Sequence, residues 1–343
     1  MASTDPVLDA LWYPFLQGSL RWPAAGPVVC VGARLGPVLR AGDWHGLICE
    51  TEHRGDYEAL EAAGLSVRRT SDEPAAAVLL LPPRQREHAR ACYARALQRL
   101  APEGLLLVAQ ANADGARSCQ ADVTQLAGPL QVLSKHQCRV CWSVGPRQLD
   151  DELIAEWAAG DAPRRVEASG LLSRPGVFAW DRIDAASALL VSQLPGDLTG
   201  RVADLGAGHG YLSQAVLSRC AGVEAVDLFE VDARSLDLAR ANLAPFEPRV
   251  KLAFHWHDVR GGVPGLYDHI VCNPPFHASG GRERVDLGRA FLQAAGSALR
   301  RGGHLWLVAN RHLPYEATLA QHFAELVTLT QSGGFKIIRA TRR

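Results

Sequence analysis

Four consecutive residues have the types and spacing for chemistry on an amine: Asn273-Pro274-Pro275-Phe276. They follow an apolar run, His269-Ile270-Val271-Cys272, that reads as a buried strand. Two prolines in a row cannot continue a ladder, so the backbone leaves the sheet there. An amide and an aromatic ring thereby arrive at the carboxyl end of a strand, where open α/β sheets build their sites. The Asn273 amide oxygen and the carbonyl of Pro274 offer two acceptors for the two protons of a planar exocyclic amine. An amine held so has its nitrogen lone pair drawn out of conjugation, and Phe276 supplies a flat face on which a base can stack. Asn273, Pro274, Pro275 and Phe276 are the catalytic candidates. The same residues could form an ordinary turn, so the reading depends on what surrounds them.

The surroundings lie upstream. Asp204-Leu205-Gly206-Ala207-Gly208-His209-Gly210 follows a strand, Val202 to Gly206, and precedes the apolar-periodic stretch Tyr211 to Cys220, which suits a helix start. Alternate glycines permit positive φ and let backbone approach a ligand closely. Glu230 closes the next expected strand, Val226 to Glu230, where an acid can accept from two ribose hydroxyls. Asp258 follows the strand Lys251 to Trp256 and can accept from an adenine amine. The expected cofactor-binding set is Asp204, Gly206, Ala207, Gly208, Gly210, Glu230, Val231, Asp258, Val259 and Asn273. Taken singly, each acid is more readily a solvated loop residue; in this order, at successive strand ends, the joint reading of a nucleotide site wins.

Strands alternating with helices mark the chain as α/β. The first half has a strand running into a turn over Val28 to Gly36, strands at Ile48 to Glu50, Ala75 to Pro83 and Leu105 to Ala109, a helix from Arg86 to Leu100, and a closing hairpin, Leu130 to Leu133 with Gln137 to Val144. The second half repeats this order and ends in its own hairpin, Leu326 to Thr330 with Phe335 to Ala340. Leu80-Leu81-Pro82-Pro83-Arg84 stands against Cys272-Asn273-Pro274-Pro275-Phe276, and Gly104 to Asn112 against Gly303 to Asn310, which points to an internal duplication. In the first copy Leu81 and Arg84 replace Asn273 and Phe276, and Gly32-Ala33-Arg34-Leu35-Gly36 lacks the alternate glycines, so that copy is expected to be silent. The expected domains are residues 1–150, a linker over 151–165 with one helix from Asp151 to Ala158, and a catalytic domain over 166–343.

With 343 residues, nearly half of them apolar, the chain is long enough for two cores. Lys plus Arg equals Asp plus Glu at 36 each, so the overall field gives no pull toward a polyanion and nucleic acid must be met by local patches. The first ten residues show neither a secretory signal nor a transit peptide, and no apolar run is long enough to cross a bilayer; a cytoplasmic protein is expected. Cys138-Arg-Val-Cys141 has the spacing of half a zinc site, but no second pair follows, so the eight cysteines are expected to be structural thiols and no metal is expected.

The second half resembles the class I S-adenosylmethionine-dependent methyltransferases, and its Asn-Pro-Pro-Phe resembles the subset that methylates amino groups on bases or glutamine side chains. The whole chain is more closely similar to the bacterial ribosomal RNA small subunit methyltransferase C family, the 16S rRNA guanine-N2 methyltransferases. The residues that carry this are Gly176-Val177-Phe178 followed by Asp184 and Ser187, Asn273 to His277, Val308-Ala309-Asn310, Leu313-Pro314-Tyr315 and Phe335 to Ala340. Phe178 is followed by Ala179 where a serine is expected, and Glu230 stands where aspartate is usual. The resemblance implies two tandem Rossmann-like domains, each with a mostly parallel seven-stranded sheet and a C-terminal antiparallel hairpin. It also implies S-adenosyl-L-methionine as cofactor, Phe178 and Asp184 beside it, and 16S rRNA of the small ribosomal subunit as partner to a monomer. Candidate RNA contacts are His277, Asn310, Arg311, Arg84 and Arg86. Large-subunit guanine-N2 methylation, glutamine-N5 methylation of a release factor, adenine-N6 methylation of DNA and a non-enzymatic RNA-binding assembly role are the rival readings.

Overall fold

A computed structural model describes residues 5–145, 147–275 and 281–343, with side chains from residue 286 in the last stretch. Phe276 and His277 lie outside the described residues. The chain divides into two compact units, Met1–Ala162 with Arg174–Gly176, and Pro163–Ser173 with Val177–Arg343.

In the first unit the strands are β1 (Val28–Val31), β2 (Leu47–Glu50), β3 (Ser66–Arg68), β4 (Ala75–Leu80), β5 (Leu100–Ala111), β6 (Gln131–Lys135) and β7 (Cys138–Ser143). They form one sheet in the order β3-β2-β1-β4-β5-β7-β6. The helices are α1 (Pro6–Leu16), α2 (Pro37–Ala41), α3 (Arg54–Ala62), α4 (Arg86–Arg99), α5 (Ala116–Ala127) and α6 (Asp151–Ala159). Sequence reading passed over α1, although Asp5-Pro6 is a start signal: the Asp5 carboxylate accepts from Leu8 N and proline stands at the first turn. The acidic stretch expected as linker carries α6, whose Ile154 and Trp157 are buried with residues of α4, and Arg90 of α4 lies 4.3 Å over the Trp157 ring.

A two-stranded ladder, β8 (Arg164–Arg165) with β9 (Leu172–Ser173), opens the second unit. Its sheet comprises β10 (Thr199–Leu205), β11 (Gly222–Glu230), β12 (Lys251–Trp256), β13 (Tyr267–Cys272), β14 (Leu299–Asn310), β15 (Phe323–Ser332) and β16 (Phe335–Arg342). The order β12-β11-β10-β13-β14-β16-β15 repeats that of the first unit, parallel except for the last two strands. Gly333 and Gly334, at φ 58° and 86°, make the two-residue turn of that closing hairpin, where both positions require the left-handed region. The helices are α7 (Ala185–Gln193), α8 (Tyr211–Arg219), α9 (Ala233–Leu243), α10 (Gly281–Ala298) and α11 (Glu316–His322).

Helices cover both faces of this sheet, which is why its central strands read as unbroken apolar runs. Val202, Leu228, Val271 and Val308 pack with Leu190, Val216 and Leu236 of α7, α8 and α9. Their neighbours Ala203, Phe229, Ile270 and Leu307 face the opposite way, against Phe291, Leu292 and Leu319 of α10 and α11. The alternation fixes the register, so β10, β11 and β13 end side by side: Leu205 is paired with both Phe229 and Cys272.

Candidate active site

The glycine turn is held at the end of β10 by its neighbour strand. The backbone N–H groups of Gly206 and Ala207 donate to the carbonyl of Phe229 at 2.9 and 3.1 Å, and Gly210 N donates to Ala207 O at 2.9 Å. Gly206, Gly208 and Gly210 all have positive φ, at 73°, 55° and 92°. A Cβ added at Gly206 would lie 3.2 Å from the Phe291 ring, whereas at Gly208 it would meet nothing within 4 Å. Gly206 is therefore required by packing, and Gly208 by backbone conformation and by whatever approaches it.

Glu230, at the end of β11, reaches back to this turn. Its carboxylate accepts from Gly208 N at 2.7 Å and from Asp232 N at 2.9 Å. Burial pushes the carboxyl up to about 7, against the pull of those N–H donors. Asp204, the penultimate residue of β10, accepts through Oδ2 from the Ser213 hydroxyl at 2.7 Å and from Ser213 N at 3.1 Å, which anchors α8. Burial raises it to about 6, and its Oδ1 has no hydrogen-bond partner among the described residues. A buried acceptor without a donor, a buried acid at the ribose position and an open glycine at φ 55° fit an adenosyl cofactor with hydroxyl and ammonium donors.

Asn273 follows β13 and therefore stands beside Gly206 in the register of the sheet. Its Nδ2 donates to Ser187 Oγ at 2.8 Å and to Asp184 Oδ2 at 3.1 Å. The same Asp184 oxygen caps α7 by accepting from Ser187 N at 2.8 Å. An amide flip would set Oδ1 against a carboxylate, so the pair fixes the orientation and leaves Oδ1 as the acceptor edge. Asp184, expected in the cofactor wall, accepts here from Asn273 Nδ2 and Ser187 N. The prolines take the chain out of the sheet as expected, with Pro274 buried and Pro275 exposed.

Other expected site residues are placed as follows. Asp258 follows β12 and its carboxylate receives Arg260 N and Nε, both at 3.0 Å, so an adenine amine would share it with a guanidinium. Val259 is buried, and the carbonyl of Val231 accepts from Trp256 Nε1 at 2.8 Å. Phe178 is 52 % exposed, beside Ala179 with a positive φ of 51°. Asn310 ends β14, next to β13, and Arg311 beyond it is exposed. Arg84 faces Asp114 at 3.0 Å, and Arg86 grips Asp122 with two bonds at 2.9 and 2.8 Å, so both are engaged within the first unit. Sequence reading missed Asn242, whose Nδ2 donates to His209 O and to Leu172 O, both at 2.9 Å. A lone asparagine in a helix carried no signal for that role.

The first unit shows what becomes of the arrangement when the chemistry is absent. Gly32, at φ 72°, and Ala33, whose N–H donates to Glu50 O, stand where Gly206 and Ala207 stand, and Gly36 and Gly210 precede α2 and α8. Arg34 therefore occupies the position of Gly208. Asp5 caps α1 as Asp184 caps α7, with Leu8 in place of Ser187 and Leu81 in place of Asn273. Asp5 accepts from Arg34 Nε at 2.7 Å. One arginine thus bridges from the glycine turn to the helix cap, across the ground that the second unit leaves to a ligand.

The strand order with its antiparallel closing hairpin, and a glycine turn answered by a buried acid on the next strand, define the second unit as a class I S-adenosylmethionine-dependent methyltransferase domain. The model of the methyltransferase small domain matches residues 168–339. The ribosomal RNA small subunit methyltransferase C of Pseudomonas entomophila is 31 % identical over 337 residues, 92 % of this chain and 95 % of the relative. That of Salmonella enteritidis PT4 is 32 % identical over 243 residues, 70 % of this chain and 68 % of the relative. Among solved structures, the T. thermophilus 16S rRNA N2 G1207 methyltransferase, RsmC, in complex with AdoMet and guanosine, aligns with a TM-score of 0.79 at 24 % identity, covering all of this chain and 94 % of that one. This chain belongs to the ribosomal RNA small subunit methyltransferase C family.

No helix among the described residues is long and apolar enough to cross a membrane, and no group of three or more metal-ligating side chains is assembled among them.

Proposed function

We propose that this chain transfers the methyl group of S-adenosylmethionine to the exocyclic N2 amine of a guanine in 16S rRNA, acting as a monomer on the small ribosomal subunit. The observation that carries the reading is the two-bond restraint on Asn273 Nδ2, which presents Oδ1 as an acceptor beside the glycine turn. The cofactor supplies an electrophilic methyl group. Asn273 Oδ1 and the Pro274 carbonyl accept hydrogen bonds from the two N–H groups of the amine, orient the nitrogen and turn its lone pair toward the glycine turn. The surplus proton of the methylated amine would pass to water, so no strong base is needed of the chain. Positioning supplies most of the acceleration. Glu230 holds the ribose, and Asp204 the polar end of the cofactor. The first unit, with its site bridged by Arg34, serves folding and RNA docking.

Tritiated methyl transfer tests this with small subunits, large subunits, free rRNA, DNA and release factor offered in parallel. Label confined to N2 of a guanine in 16S rRNA supports the reading; label in 23S rRNA, DNA or glutamine overturns it. Asn273→Ala is expected to lower turnover by at least about a hundredfold while S-adenosylhomocysteine affinity stays within about twofold, since a mispositioned reactant costs on this order.

A further inference from the structure

The Arg164 guanidinium lies 4.4 Å from the centroid of the Trp180 ring. Arg164 is exposed and Trp180 half-buried. Both ends of this pair are tied to the site. Arg164 sits in β8, paired with Ser173 in β9, and β9 is fastened to the glycine turn by Asn242, which accepts from Leu172 N at 2.7 Å and donates to Leu172 O and His209 O. Trp180 precedes Asp184, the residue that orients Asn273, by a stretch of chain no longer than about 14 Å. Immediately before Trp180, Ala179 holds a left-handed φ of 51°, which costs a non-glycine residue about 1–2 kcal/mol and persists only where the surroundings hold it. Phe178 on the other side of that turn is one of the few large apolar side chains exposed among the described residues.

We infer that Trp180, with Arg164 stacked on it, is a docking platform for a nucleotide flanking the methylated guanine; this rests on the RNA methyltransferase reading above. An indole offers a sequence-tolerant face to a base, and the guanidinium and the neighbouring exposed Arg165 offer charge to its phosphate. The same charges disfavour the alternative that the platform belongs to the cofactor, whose sulfonium and ammonium are cations. A chain with no net charge has to place its attraction for a polyanion locally, and this place lies four residues from Asp184, which orients Asn273.

The test uses the full chain with Trp180→Ala, Trp180→Phe and Arg164→Ala. Base stacking of this kind changes affinity by about 5- to 150-fold. The expected result is a KM for 16S rRNA raised by that factor in Trp180→Ala and less in Arg164→Ala, with kcat and S-adenosylhomocysteine affinity within about twofold, and recovery of most of the KM in Trp180→Phe. A single-stranded oligoribonucleotide is expected to quench tryptophan fluorescence in the wild type and to lose that component in Trp180→Phe. An unchanged KM in Trp180→Ala, or a parallel loss of cofactor affinity, overturns the inference. A wild type that leaves 16S rRNA unmethylated overturns the functional reading instead, and the quenching arm still judges the platform.

Discussion

If Glu230 holds the cofactor ribose as proposed, cofactor binding depends on pH in a way that can be worked out from the site. Ribose hydroxyls donate, so they bind the carboxylate form, yet burial raises the acid from its ordinary value of 4.5 to about 7. If only the ionised form binds, the apparent Kd carries a factor of 1 + 10^(7 − pH), which is about 1.1 at pH 8, about 2 at pH 7 and about 11 at pH 6. Affinity should therefore fall about tenfold from pH 8 to pH 6, and binding at pH 7 should release about half a proton. Asp204, titrating near 6, adds at most about twofold at the acid end and in the same direction. Isothermal titration with S-adenosylhomocysteine in two buffers of different ionisation enthalpy measures both quantities. Glu230→Gln removes its titration and leaves an amide NH₂ facing one of the two backbone N–H donors, so its Kd should be weaker by about 10- to 100-fold and vary with pH by no more than the roughly twofold left to Asp204. A flat Kd in the wild type, or a slope of about tenfold that survives in Glu230→Gln, would refute the assignment. The unliganded protein should respond oppositely: a raised acid contributes stability that is complete below about 4.5 and is lost as pH rises through about 7, so the melting temperature should decline over that window.

Other expectations follow from contacts already described. Gly208→Ala carries only the cost of its left-handed φ, about 1–2 kcal/mol, because nothing lies within 4 Å of the added Cβ; melting should drop by a few degrees while S-adenosylhomocysteine affinity falls at least about tenfold, and near-normal affinity would place the cofactor elsewhere. Ser187→Ala removes one neutral bond from Asn273 Nδ2, so kcat should fall about 2- to 10-fold with cofactor affinity unchanged, as measured by single-turnover methyl transfer beside a binding titration. Gly288→Ala would set a Cβ 1.8 Å from the hydroxyl of fully buried Tyr315, and a loss of about 1–3 kcal/mol or more is expected in chemical unfolding.

What was legible in the sequence was legible for local reasons. Prolines after an apolar run end a strand wherever they occur, and glycines at alternate positions between a strand and a helix make a turn of one kind, so Asn273 and Gly206 could be put at neighbouring strand ends before any coordinates. The repeat of Leu81-Pro82-Pro83 against Asn273-Pro274-Pro275 likewise pointed to two sheets of one order. The restraint on Asn273 was not legible as such: Asp184 lies 89 residues away in sequence, and a carboxylate that caps a helix and receives an amide has no pattern of its own. Nor was the reach of β14, which begins at Leu299 ahead of Gly302-Gly303, because an irregular register opposite Tyr267 and His269 carries the ladder across those glycines. Helix α1 escaped notice because Trp12, Tyr13, Pro14 and Phe15 blur its apolar stripe, although Asp5 and Pro6 announce its start.

The bridge from Arg34 to Asp5 gives the two halves of this chain different responses to their surroundings. A cation that is part of the polypeptide is present at fixed stoichiometry and cannot be diluted, so the first unit keeps the charge partner of its helix cap at any metabolite concentration. The second unit relies on a diffusible molecule and gains about 2.7 kcal/mol from it only when that molecule is at about a hundred times its Kd. Starvation for the methyl donor would therefore loosen the half that performs the chemistry and spare the half that does not.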